Sequence, residues 1–259
     1  MNELIVNGCE PIITAALSKV ISEKPKSKDE LRRSYQEILS KDLIDIIHII
    51  KGNNITVEQF LYDQILSISK ELQLRKKNLN ITETNKNNSS HRIIKEDLIN
   101  DWLTSFFNHK HSDIGLSCHD QKRGGQSSSN KNPGEFDFFI CDKNNEGISI
   151  MEAFRLFSND TTIINKHLNK IAGYDQQCLS PVFVISYCDV NDFSMLCENY
   201  KNYVFSTEYN GYTKSEDLLV TKHDTESIKA YQEVRYRSNK SITFFHFLVN
   251  LRFNESESF

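Results

Sequence analysis

The chain has 259 residues, 38% hydrophobic and 25% charged, an ordinary globular composition able to bury a sizeable core. Its formal charge of -4 at pH 7 argues against a general polyanion binder. It leaves room for a local basic patch, because nucleic-acid contact depends on where the charge sits. The opening "MNELIVNGCEPIITAALSKVISEK" carries no basic stretch ahead of an apolar run, and no run approaches about eighteen apolar residues. The expectation is a soluble, cytoplasmic protein with no membrane contact. Cys9, Cys118, Cys141, Cys178, Cys188 and Cys197 form no CxxC pair, so they read as reduced, mostly buried small hydrophobes.

In chain order, residues from about 10 to 77 read as helical. "KDELRRSYQEILSKDLIDIIHIIK" sets Leu31, Leu39, Leu43, Ile46 and Ile47 at helical spacing, and Ser27 with Glu30 offers a capping box. "TVEQFLYDQILSISKEL" repeats the pattern, with Thr56 as cap and Phe60, Ile65 and Leu66 on one side. Between residues 78 and 91 the periodicity is lost in Asn, Ser and Thr, which predicts a linker. The expected organisation is a helical N-terminal segment, 1–90, and an α/β domain, 91–259.

Past that point "HRIIKEDLINDWLTSFFNH" predicts a helix with Ile94, Leu98, Trp102 and Phe106 along its apolar face. A short strand, "DIGLSC", and a loop, "HDQKRGGQSSSNKNPG", follow. Two strands are then expected at about 135–141 and 147–154. After them come a helix over "NDTTIINKHLNKIAG", capped by Asn159 or Asp160, and a buried strand, "SPVFVISYC". The remainder reads as a helix near 191–202, a polar turn region, and a hairpin or helix–strand pair ending in "SITFFHFLVNLRF".

The stretch "PGEFDFFICDKNNEGISIMEAFRL" raises the functional question, because Asp137 and Glu152 stand in strands otherwise built of Phe, Ile and Met. Alternation puts Glu135, Asp137 and Phe139 on one face and Phe136, Phe138 and Ile140 on the other. Ile148, Ile150, Glu152 and Phe154 share a face of the next strand, with Met151, Ala153 and Arg155 opposite. The short connection makes a hairpin, which brings the two acids near each other. They either face solvent or pair with basic residues at a sheet edge, or they meet at a partly buried site. There their repulsion would be resolved by a divalent cation such as Mg²⁺.

"GEFDFFI" and "ISIMEAFRL", set between a capped amphipathic helix and "INKHLNKIAGYDQQCLSPVFVISY", resemble the PD-(D/E)xK, or restriction-endonuclease-like, nuclease superfamily. The resemblance covers about residues 91 to 188 and does not extend to residues 1 to 90. It implies an αβββαβ core with a mixed sheet, a metal-dependent nuclease activity on DNA or RNA, and Mg²⁺ or Mn²⁺ as cofactor. By position it implies Asp137 and Glu152 as metal ligands, Ala153 as a carbonyl contributor, and Glu96, at the border of the helix's apolar face, as a third carboxylate. Antiviral defence is the biological setting it suggests, by analogy. The helical segment would be the surface for a protein partner.

One residue departs from that pattern. Two positions after Glu152 stands Phe154 where the superfamily has lysine. Arg155 lies next to it but on the wrong face by alternation, and it would need a bulge to turn inward. Arg cannot serve as a base, though its fork can stabilise a charged transition state. Lys170, which shares a helix face with His167 at i, i+3, is the other source. Arg155, tethered nearer the motif, is the favoured one. The alternative is a degenerate nuclease fold that binds nucleic acid or serves assembly, with Phe154 as its mark.

Two further features carry less. His109, His111, Cys118 and His119 fit no structural zinc spacing. Lys122, Arg123, Gln126 and Lys131 lie in a Gly-rich loop that lacks the P-loop pattern, and they suit a flexible loop able to touch phosphates.

Overall fold

A computed structural model describes residues 27–85, 88–120, 123–126, 133–215 and 219–253. Cys9, the helix expected over residues 10–26, and Lys122 and Lys131 lie outside the described residues. So do the side chains of Glu30, Leu31, Leu39, Arg123, Gln126 and Glu135.

The helical pattern over residues 28–51 divides into α1 (Lys28–Ser40) and α2 (Leu43–Lys51). Asp42 takes extended backbone between them, and the break lets Ile46, Ile47 and Ile50 of α2 turn inward together. α3 (Val57–Leu74) starts as expected, the Thr56 hydroxyl accepting from the Gln59 N–H at 3.1 Å. The segment expected as a linker is instead a hairpin, β1 (Asn80–Asn85) with β2 (Asn88–Ile93). It is tied to the body at its base. Asn80 Nδ2 donates to the Leu251 carbonyl at 2.8 Å, and the Ile93 N–H to Asp189 Oδ2 at 3.2 Å.

α4 (Glu96–His111) follows, then β3 (Ser117–Asp120). The helix is where the sequence put it, but its buried row is one residue along. Ile99, Leu103 and Phe107 are fully buried, whereas Leu98 is 48% and Trp102 38% exposed. Two apolar rows at i, i+4 spacing lie side by side on this helix, and periodicity alone does not say which one the sheet covers. β4 (Arg123–Gln126) and β5 (Pro133–Glu135) pair into a small arm where a loop was expected. β6 (Phe138–Cys141) and β7 (Gly147–Leu156) form the expected hairpin. Its turn is held by Asp142 Oδ1, which accepts from the N–H groups of Asn144 and Glu146 at 2.8 and 2.9 Å.

α5 (Thr161–Tyr174) leads to β8 (Val182–Cys188), buried on both faces, and then to α6 (Phe193–Ser206). β9 (Thr213–Lys214), β10 (Val220–Asp224), β11 (Ile228–Arg237) and β12 (Lys240–Asn250) complete the chain. The last two are a hairpin, because Ser238 and Asn239 both adopt positive φ (50° and 64°), the geometry of the tight turn that matches strand twist.

The strands run β10-β11-β12-β8-β7-β6-β3 across one mixed sheet, with β9 on β11. β7, β8 and β12 are mutually parallel and the outer pairs antiparallel. The fold is therefore α/β, with helices on both faces. α1 to α4 share one core with Met151, Ala153, Phe183, Phe245 and Phe247, and Tyr62 of α3 packs at 5.0 Å on Phe245. α5 and α6 cover the other face through Ile150, Phe154, Val184, Phe244 and Leu248. The helices before residue 79 thus sit on the same sheet as the rest.

Candidate active site

The site forms where β6 begins beside the middle of β7. On β7, Ile150 and Phe154 line the α5 face, while Met151 and Ala153 line the α4 face. Glu152 therefore projects toward α5, and it is only 2% exposed. Continuing the β6–β7 register one step beyond Phe138↔Met151 puts Asp137 opposite Glu152. The ladder stops there. Asp137 Oδ2 takes the Ala153 N–H at 2.9 Å in place of a strand carbonyl. That substitution breaks the alternation expected of this strand, and Phe136 joins Phe139 on the α5 face instead of Phe138.

The next N–H along the same edge of β7 belongs to Arg155, and it donates to Glu96 Oε2 at 3.3 Å. Glu96 is the first residue of α4. Burial, and then the neighbouring Asp137, raise its carboxyl above the usual range. Three carboxylates thus gather at the open end of β6, two on successive N–H groups of one strand edge and the third from that strand's α5 face. The Ala153 carbonyl leaves β7 on the Asp137 side as well.

α5 supplies the groups opposite. Asp160 caps it, accepting from the N–H groups of Thr162 and Ile163 at 3.0 and 3.1 Å, and Ile164, Leu168 and Ile171 dock it on the sheet. This seating brings Lys170 Nζ to 2.7 Å from Asp137 Oδ1 and 2.8 Å from Glu152 Oε1. One turn earlier, His167 Nδ1 lies 2.7 Å from Glu152 Oε1, and its ring stacks on Phe154 at 4.6 Å. Burial draws the Lys170 ammonium down, but the Glu152 and Asp137 carboxylates outweigh it and hold it above its ordinary value. Burial, followed by Asp137, pushes Glu152 well above the carboxylate range. Lys170 offsets part of this, but burial and the Asp137 charge prevail. Burial lowers the His167 ring to about 4, leaving it neutral near pH 7.

Arg155, favoured from the sequence over Lys170 as the missing cation, forms no ion pair with Asp137 or Glu152 among the described residues, although its charge acts on Glu96. Pairing of β7 with β8 runs without a break from Ile150 to Leu156, so no bulge turns it inward. Its guanidinium donates to the Ile94 carbonyl at 3.3 Å and lies over Phe157. The cation at the acids comes from α5.

Among the described residues, Asp137, Glu152 and His167 are the group of metal-ligating side chains that converges, each offering an atom within 4.8 Å of the others. The His–Cys segment set aside from the sequence does not gather in this way. His111 is buried against the Phe107 carbonyl and Gln64, and burial drives it down to about 3. His167 is the participant that sequence reasoning did not assign to the site. Its i, i+3 relation to Lys170 was the available signal.

Comparisons with known protein families, with curated proteins and with solved structures each return no match. Among the described residues no helix is long and apolar enough to cross a membrane.

Proposed function

We propose that this site hydrolyses phosphodiester bonds in a divalent-metal-dependent reaction, with DNA as the preferred substrate and RNA the lesser one. The observation that carries the reading is the meeting of Asp137 and Glu152, from neighbouring strands, with Lys170 from the following helix. The order α4, β3, β6, β7, α5, β8 supports it, since it runs helix, three strands, helix, strand as in the restriction-endonuclease-like core, with the β4–β5 arm inserted. Lys170 then stands in for the lysine that Phe154 displaces.

The donor set fits a hard divalent cation. Carboxylate oxygens from Asp137 and Glu152, with Glu96 beside them, leave negative charge that one ammonium does not balance. Mg²⁺ or Mn²⁺ held there would supply Lewis-acid stabilisation of the phosphate. The chain's own groups do the rest. The Ala153 and Arg155 N–H groups fix Asp137 and Glu96 along the β7 edge. Lys170 keeps a charged donor at the carboxylate pair, where it offsets charge on the phosphate oxygens as it builds. Arg155 fastens β7 to the chain just before α4.

Incubating the protein with plasmid and linear DNA, and with RNA, in Mg²⁺, Mn²⁺ or EDTA tests this. Cleavage in either metal and none in EDTA is expected. Absence of metal-dependent cleavage on all substrates would leave the degenerate fold, a binding or assembly subunit, as the better reading.

A further inference from the structure

The departure at Phe154 and the position of His167 are connected. In place of a lysine, β7 presents a fully buried aromatic ring to α5, and His167 lies nearly parallel to it, 22° between planes with centroids 4.6 Å apart. Stacking on a buried ring restricts the imidazole plane, and in that plane Nδ1 points at Glu152 Oε1, 2.7 Å away. Lys170, one turn on, lies 2.8 Å from the same oxygen. The change at residue 154 therefore coincides with two substitutes from α5, an ammonium and an imidazole nitrogen.

Given a metal at Asp137 and Glu152, which is the reading above and on which this rests, we propose that His167 Nδ1 is a third protein ligand, and that the site selects Mn²⁺ over Mg²⁺. Mg²⁺ favours a site of oxygens and water and gains little from an imidazole. First-row transition ions bind imidazole well, so a mixed set of two carboxylates and one imidazole shifts preference toward them. The geometry asks for little rearrangement. The three donor atoms already lie within 4.8 Å of one another. Ligation requires that the ring carry its proton on Nε2, and that Lys170 yield part of its contact with the carboxylates. The Phe154 stack keeps the ring in place while this happens.

The test needs no substrate. Calorimetric titration of the metal-free protein with MnCl₂ and with MgCl₂ should show tighter binding of Mn²⁺. His167→Phe, which keeps an aromatic ring against Phe154 but offers no nitrogen, should weaken Mn²⁺ binding by at least roughly 10- to 100-fold, the loss already typical when only a partner behind a ligand is removed. Mg²⁺ binding should change little. His167→Gln provides a second variant should the Phe ring not fit. Pulsed electron-spin-echo spectra of bound Mn²⁺ should show nitrogen coupling in the wild type, lost in both variants. Equal affinity for the two ions in the wild type, or Mn²⁺ affinity and nitrogen coupling unchanged in the variants, would overturn the assignment. If binding of both ions is then lost in Glu152→Gln, the carboxylate site still stands without His167. If neither ion binds the wild type, both proposals fall together.

Discussion

Glu152 shows how one side chain can be poorly placed for stability, a carboxylate buried beside Asp137. Its folded-state value is raised, so its ionised form is a burden near neutral pH. The proton it holds helps the fold only at lower pH, and that help is lost as pH rises. Glu152→Gln removes the charge and keeps an acceptor for His167. The expected result in metal-free buffer is an unchanged or raised melting temperature, each ~1 kcal/mol of relief appearing as roughly 2–4 °C. The stabilisation that Mn²⁺ gives the wild type should vanish. A drop of many degrees without metal would mean that the carboxylate is a structural ion-pair member. The two cations separate in the same way. Lys170→Ala should slow cleavage by roughly 10²-fold, the scale of one lost transition-state donor. Arg155→Ala should stay near wild type, because its guanidinium serves Ile94 and Phe157. The reverse pattern in a cleavage time course would return the role to Arg155.

At the level of elements, the helices and strands that carry the site were legible, because each announces itself locally. Thr56 and Asp160 cap helices, and "FFI" and "IMEAF" alternate across a buried sheet, whereas a register shift between Ile140 and Cys141 sends Ile148 to the α4 face and not, as expected, to that of Ile150. What was not legible depends on partners distant in sequence. The β1–β2 hairpin is polar along its length, and it is fixed by Leu251 and Asp189 rather than by any apolar pattern of its own. The direction of Arg155 was set by unbroken pairing with β8, and the reach of Lys170 by how α5 docks; neither is written in local spacing. α4 gives a direct check on the one-residue shift of its buried row. Leu103→Ala should cost roughly 2–5 kcal/mol in urea unfolding, and Leu98→Ala within about 0.5 kcal/mol. Equal costs at the two positions would place the helix differently on the sheet.

Across the whole molecule, two buried ionic centres flank β8 and respond oppositely to acid. In the one on β11 and β12, Glu233 Oε2 lies 2.9 Å from Arg235 Nη2 and Oε1 lies 3.0 Å from His246 Nε2. Tyr209 donates to Oε1 at 2.6 Å. Burial pushes Glu233 up, but His246 and Arg235 prevail and hold it at about 2. A depressed carboxylate contributes stability above its unfolded value, and loses it as pH falls through the folded one. That contribution should fade between about pH 4.5 and about 2. Glu233→Gln leaves Arg235 buried without its partner, and should cost roughly 3–5 kcal/mol at pH 7. The deficit should shrink toward pH 3 in urea titrations across pH. A pH-independent deficit would assign Glu233 to packing alone.

The site at β7 differs in that, among the described residues, its acids outnumber the cations that act on them. Lys170 pairs with Asp137 and Glu152, and the Arg155 charge acts on Glu96 without forming a described ion pair with it. Single-turnover cleavage of an end-labelled DNA duplex by the wild type, Asp137→Asn and Glu152→Gln, each in Mn²⁺ and in EDTA, tests directly whether that imbalance is catalytic. The wild type should cut in Mn²⁺ and not in EDTA, and both folded variants should lose roughly 10²-fold or more. Cleavage by either variant at the wild-type rate, or wild-type cleavage that persists in EDTA, would contradict it.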